Sequence, residues 1–180
     1  MKTETLKYLP AHIANYFLWR AKEEQIKDMT PMKLIKLVYF AYAWNLAIFN
    51  KKLFSEKIEA WRYGPVVPSI YHEFKRCGDS PIDHFAINFE LGRGEKISFP
   101  VLNGKSPEDH NAIRVVETIW QVYKDKSGWE LSDITHHGDN SAWKSAYAQG
   151  ENSEMDDKKI IERAEIAMSK YKESLKTKNL

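Results

Sequence analysis

One segment, Met29 to Asn50, constrains the fold of this chain more than any other. Thr30-Pro31 opens it with two helix-start signals, a hydroxyl at the N-cap and a proline at the first helical position. Behind them Leu34, Leu37, Val38, Ala41, Trp44 and Ile48 recur at three- and four-residue spacing. A second set, Ile35, Tyr39, Tyr42, Leu46 and Phe49, covers much of the opposite side. A helix that is apolar nearly all round is buried on several sides. Lys33, Lys36 and Asn45 alone interrupt it, and the two lysines sit near its start, where they are expected to reach outward. As a membrane span it is short. Leu37 to Phe49 extends about 20 Å as a helix, against a hydrocarbon core of about 30 Å. The segment therefore reads as the central buried helix, about 30–50, of a soluble core.

At 180 residues the chain suits a single domain, 1–180, able to bury roughly 70% of its unfolded surface. Six tryptophans, nine tyrosines and eight phenylalanines supply an aromatic core. With 27 basic against 25 acidic residues, no global field draws the protein to nucleic acid or anionic lipid. Cys77 is alone, and Met1 to Pro10 lacks an apolar signal region, so the expected location is the cytoplasm.

In order along the chain, Pro10 to Ala21 predicts a first helix with Ile13, Ala14, Phe17, Leu18 and Ala21 inward. After the central helix, Ile58 to Tyr63 alternates like a short strand, which Gly64-Pro65 breaks, and Pro68 begins a helix ending near Gly78. Ile87–Leu91 and Lys96–Pro100, around Gly92-Arg93-Gly94, predict a β-hairpin that would join the Ile58–Tyr63 run in a small antiparallel sheet. Ser106-Pro107 starts another helix, ended by Gly128, and short helices follow over Trp129–His137 and Ser141–Ala148. An acidic connector, Glu151 to Asp157, leads to a C-terminal helix over about 156–175 and a frayed basic tail, 176–180. The expected fold class is α+β, mainly α: five to seven helices around the central one, with a small antiparallel β-sheet.

The run Thr-Pro-Met-Lys-Leu-Ile-Lys-Leu-Val-Tyr-Phe-Ala (30–41), with Leu37 and Tyr39 inside it and Trp44 beyond, is followed by Glu59-Ala60-Trp61-Arg62-Tyr63-Gly64-Pro65-Val66-Val67-Pro68 and Tyr71. Ala14-Asn15-Tyr16-Phe17-Leu18 precedes them, and Leu131-Ser132-Asp133-Ile134-Thr135-His136 and Trp143 come after. Together these resemble the Panacea domain, over about 11–147. That family includes phage-associated proteins and the SocA-like antitoxin halves of bacterial toxin–antitoxin pairs. Ala142 stands where the family has a proline before Trp143. The resemblance implies an antitoxin that neutralises a cognate toxin by direct stoichiometric binding, or, as in some relatives, an adaptor delivering the toxin to a cellular AAA+ protease.

His136-His137 with Asp133 and Asp139 is the nearest approach to a metal site, the feature on which a small metal-dependent hydrolase would rest. Adjacent helical histidines project about 100° apart and do not readily share an ion. Gly92-Arg93-Gly94 is too short to cradle phosphate, and Ser69 and Ser132 lack a nucleophile-elbow context. No catalytic residue, metal or cofactor is assigned. A nucleic-acid-binding regulator has only the basic tail in its favour, because no helix pair shows a basic recognition helix. For partner binding the candidates are Trp61, Arg62, Tyr63 and Tyr71, since aromatics and arginine are enriched at interface hot spots. The competing reading is that Trp61 and Tyr63 fill space between sheet and central helix, with Arg62 paired to a carboxylate. Both readings stand at the level of sequence.

Overall fold

A computed structural model describes residues 8–90, 96–137 and 141–178 of the chain. Helix α2, Pro31–Phe49, is its axis, and fifteen of its nineteen residues are buried. That leaves no polar face. The Thr30 hydroxyl caps it by accepting from the Lys33 backbone N–H, and Asn50 closes it in the left-handed conformation, which asparagine tolerates. Helix α1 (Pro10–Glu23), helix α4 (Pro107–Tyr123), helix α5 (Gly128–His136) and the long C-terminal α7 (Asp157–Lys178) pack around α2. Helix α2 is also long and apolar enough to span a bilayer by length and composition, yet most of it is enclosed by these neighbours.

Two expectations for α2 need correction. Lys33 and Lys36 do not reach outward; both are buried. In a helix without a polar face, an amine finds its partners inside. Lys33 Nζ donates to Asp28 Oδ1 and to the Lys124 carbonyl that ends α4, both at 2.7 Å. Conversely Ile48 and Phe49 are 49% and 36% exposed, because the last turn of α2 outruns the surrounding helices.

The sheet also differs from expectation. Strand β1 (Glu59–Trp61) pairs antiparallel with β2 (Gly64–Val66) on one side and with β5 (Ser153–Glu154) on the other. Gly64-Pro65 therefore does not end the strand region but begins its second strand. Pro65, which has no N–H to give, lies on an edge strand. The chain continues into helix α3 (Pro68–Phe74) and a 3₁₀ turn to Cys77. The predicted hairpin exists as β3 (Asn88–Glu90) and β4 (Lys96–Ser98), but it stays separate from the first sheet. Its turn, Gly92-Arg93-Gly94, lies outside the described residues. Asn15 on α1 holds the hairpin's base: its amide Nδ2 donates to Ala86 O and Pro100 O, and its Oδ1 accepts from Ala86 N, at 2.8–3.0 Å.

Gly128 starts α5 instead of ending α4. A Cβ there would come within 2.9 Å of the Lys33 backbone nitrogen, so the close approach of α5 to the start of α2 requires glycine. Helix α6 (Ala142–Tyr147) is short, and α7 runs to Lys178, through most of the tail expected to fray. The fold is mainly α with a small antiparallel sheet, built around α2.

Candidate partner-binding site

The four partner-binding candidates lie at and beside the turn joining β1 to β2. Trp61 pairs with Gly64, so Arg62-Tyr63 is a two-residue turn. Neither turn residue has a positive φ; that demand falls on Gly64, at φ +102°. A Cβ on Gly64 would lie 2.5 Å from Thr135 Oγ1, 2.8 Å from Lys36 Nζ and 3.3 Å from His136 Cε1. Backbone conformation and close packing both call for glycine here.

Beneath the turn, three alternate carbonyls are each held by a different helix. Trp143 Nε1 on α6 donates to Trp61 O at 2.7 Å. The Ser132 hydroxyl on α5 donates to Tyr63 O at 2.8 Å. Lys36 Nζ on α2 donates to Pro65 O at 2.9 Å. Ser132 is the hub of a second layer, since its own carbonyl accepts from Thr135 Oγ1 and His136 Nδ1, both at 2.6 Å. The His136 ring meets Trp143 edge-on at 3.9 Å, and Trp143 stacks on Tyr147. Burial pushes the Lys36 amine down to about 7, because a charged ammonium is costly where only one carbonyl solvates it.

Above the turn the surface is aromatic and open. Tyr63 is 48% exposed and meets Trp129 edge-to-face at 5.5 Å, and Trp129 is itself 59% exposed. The Arg62 guanidinium lies over the Tyr63 ring at 5.4 Å, and among the described residues it has no carboxylate partner. Trp61 is half-buried; its Nε1 donates to Glu59 Oε2, and its ring meets the half-buried Tyr71 at 4.7 Å. The turn residues thus divide by burial. Trp61 packs against the core, while Arg62 and Tyr63 are exposed.

The other motif residues are structural in position. Thr30 and Pro31 start α2; Leu37, Tyr39, Trp44 and Leu131 are buried in the core. Gly64, Pro65, Thr135, His136 and Trp143 form the cradle just described. His136 and His137 each give Nδ1 to the carbonyl four residues back, on Ser132 and Asp133. Among the described residues no three metal-ligating side chains converge, and Asp139 lies outside them. Sequence reasoning missed Lys36, Ser132 and Trp129. A signal existed for Lys36, since a lysine in an all-round apolar helix has nowhere polar to point. None existed for Trp129, whose exposure follows from its place in the first turn of α5.

The model of the antitoxin SocA-like Panacea domain matches residues 34–144. The match takes in the cradle and the turn; Asn15 and the Thr30-Pro31 start lie upstream of it. Antitoxin SocA of Caulobacter vibrioides (strain NA1000 / CB15N) is 27% identical over 124 residues, which are 69% of this chain and 63% of that protein. The chain thus spans less than two thirds of the length of this curated relative. No solved structure matches. The run of matching sequence covers most of the domain, and the chain belongs to the SocA-like Panacea-domain family.

Proposed function

We propose that this protein is an antitoxin, without catalytic activity of its own, that neutralises a cognate toxin in the cytoplasm by direct stoichiometric binding. The contact face is the Arg62-Tyr63 turn with Trp129 beside it. The observation that carries this reading is the contrast between the two sides of the turn. Three helices fix its carbonyls from below, whereas its arginine and tyrosine project above without polar partners among the described residues. Rigid presentation lowers the ordering cost of binding, and exposed Tyr, Trp and Arg are the residue types that carry interface energy. Family membership supports the antitoxin role.

The test is co-expression with the small open reading frame adjacent to this gene. A frame that arrests growth alone, is tolerated with this protein, and co-purifies with it one-to-one is the expected result. Toxin that disappears only when a AAA+ protease is present would assign the adaptor role instead. No rescue of any adjacent lethal frame would refute the antitoxin reading.

A further inference from the structure

Four residues singled out by the family pattern, Tyr39, Trp44, Thr135 and Trp143, converge on one cavity. The cavity, of about 30 Å³, lies between α2, α4, α5, α6 and α7. Tyr123 and Arg163 complete its polar lining. Its chemistry is one-sided. Trp44 is 3% exposed, and its indole N–H has no protein acceptor among the described residues. Among the described residues, Arg163, half-buried on α7, makes one hydrogen bond, to the Ile134 carbonyl at 3.5 Å, and no carboxylate lies within ion-pair distance of it. Buried donors are normally satisfied, and a cationic donor beside a neutral one favours an anion, which accepts from both.

We propose that this cavity is a binding site for one small monovalent anion, of halide or single-carboxylate size, held by Arg163 and the Trp44 indole N–H. The volume admits about one or two water-sized groups, which suits a halide or a carboxylate head and excludes phosphate esters and nucleotides. Burial raises the phenols of Tyr39 and Tyr123, and the Arg163 charge opposes that rise in both. Both phenols therefore stay protonated at neutral pH and can serve as further donors, not as rival anions. An occupied site would tie α7 to the helices that carry the cradle.

Two measurements test this. Crystals of the full chain grown with sodium bromide should show an anomalous bromide peak within hydrogen-bond reach of Trp44 Nε1 and Arg163, displaced by formate. In solution at constant ionic strength, the melting temperature should rise with the logarithm of bromide or formate concentration above the dissociation constant, relative to gluconate. At a hundredfold excess over the dissociation constant, the folded-to-unfolded ratio should grow about a hundredfold. Arg163→Gln should abolish that dependence, and Trp44→Phe should weaken it. Water alone in the cavity at saturating bromide, or an equal anion response in wild type and Arg163→Gln, would overturn the proposal. The crystallographic test stands even if a variant fails to fold.

Discussion

Replacing Lys36 by methionine should change how stability depends on pH. The Lys36 amine is 2% exposed, donates to the Pro65 carbonyl, and has no carboxylate partner among the described residues. Burial lowers it from an ordinary 10.5 to about 7. Above pH 10.5 the amine is neutral whether the chain is folded or unfolded, so it imposes no penalty. As pH falls from 10.5 to 7, the unfolded chain takes up a proton that the folded chain refuses, and folding weakens. Below 7 both states are protonated and the penalty is constant. Stability should therefore rise with pH above 7. Each unit contributes about 1.4 kcal/mol, and allowing for partial protonation near 7, the gain from pH 7 to 9 is about 2 kcal/mol. The window stops there because burial also raises Tyr16, Tyr39, Tyr42 and Tyr123, and above pH 10 their unfolded forms ionise first, with the opposite sign. Lys36→Met keeps the volume and removes the titration, while leaving the Pro65 carbonyl without its donor at a cost of about 1–3 kcal/mol. Urea unfolding of both proteins at pH 7, 8 and 9 provides the comparison. The difference between them should shift by about 2 kcal/mol in favour of wild type as pH rises. A constant difference across the series would refute the reasoning.

Other consequences are checked by melting and urea titration. Gly64→Ala meets both a positive φ and the Thr135 hydroxyl, and should cost about 2–4 kcal/mol. Leu37→Ala, in the fully buried stripe of α2, should cost about 2–5 kcal/mol, whereas Ile48→Ala, half exposed on the same helix, should cost under about 1 kcal/mol. Asn15→Ala leaves the Ala86 amide and two carbonyls unpaired at the base of β3–β4, and should cost about 2–4 kcal/mol. Amide exchange should then rise first in residues 86–90 and 96–99.

Much of this architecture is legible in the sequence, for physical reasons. Helix starts at Pro31, Pro68 and Pro107 are local signals, and the inward stripe of α1 follows from period alone. What failed depends on distant partners. Strand β5 has no β pattern; Ser153-Glu154 joins the sheet because Met155 N and Asn152 N reach the Ile58 and Ala60 carbonyls, almost a hundred residues earlier. Gly128 reads as a terminator until α2 is packed beside it. The cradle is the most instructive case. Leu131–His136 and Trp143 are visible as a motif, but only folding shows that Ser132 and Trp143 grip the turn and that Lys36 completes the set.

The most direct test of the account measures toxin affinity for Arg62→Ala and Tyr63→Ala by calorimetry, with the cognate toxin identified from the adjacent gene. Both side chains point away from the cradle, so both variants should melt like wild type. Loss of one hot spot of about 3 kcal/mol should raise the dissociation constant roughly a hundredfold, and rescue of growth should fail with it. Variants that stay folded and bind with parental affinity would show that the turn is scaffold and that the toxin docks on another face.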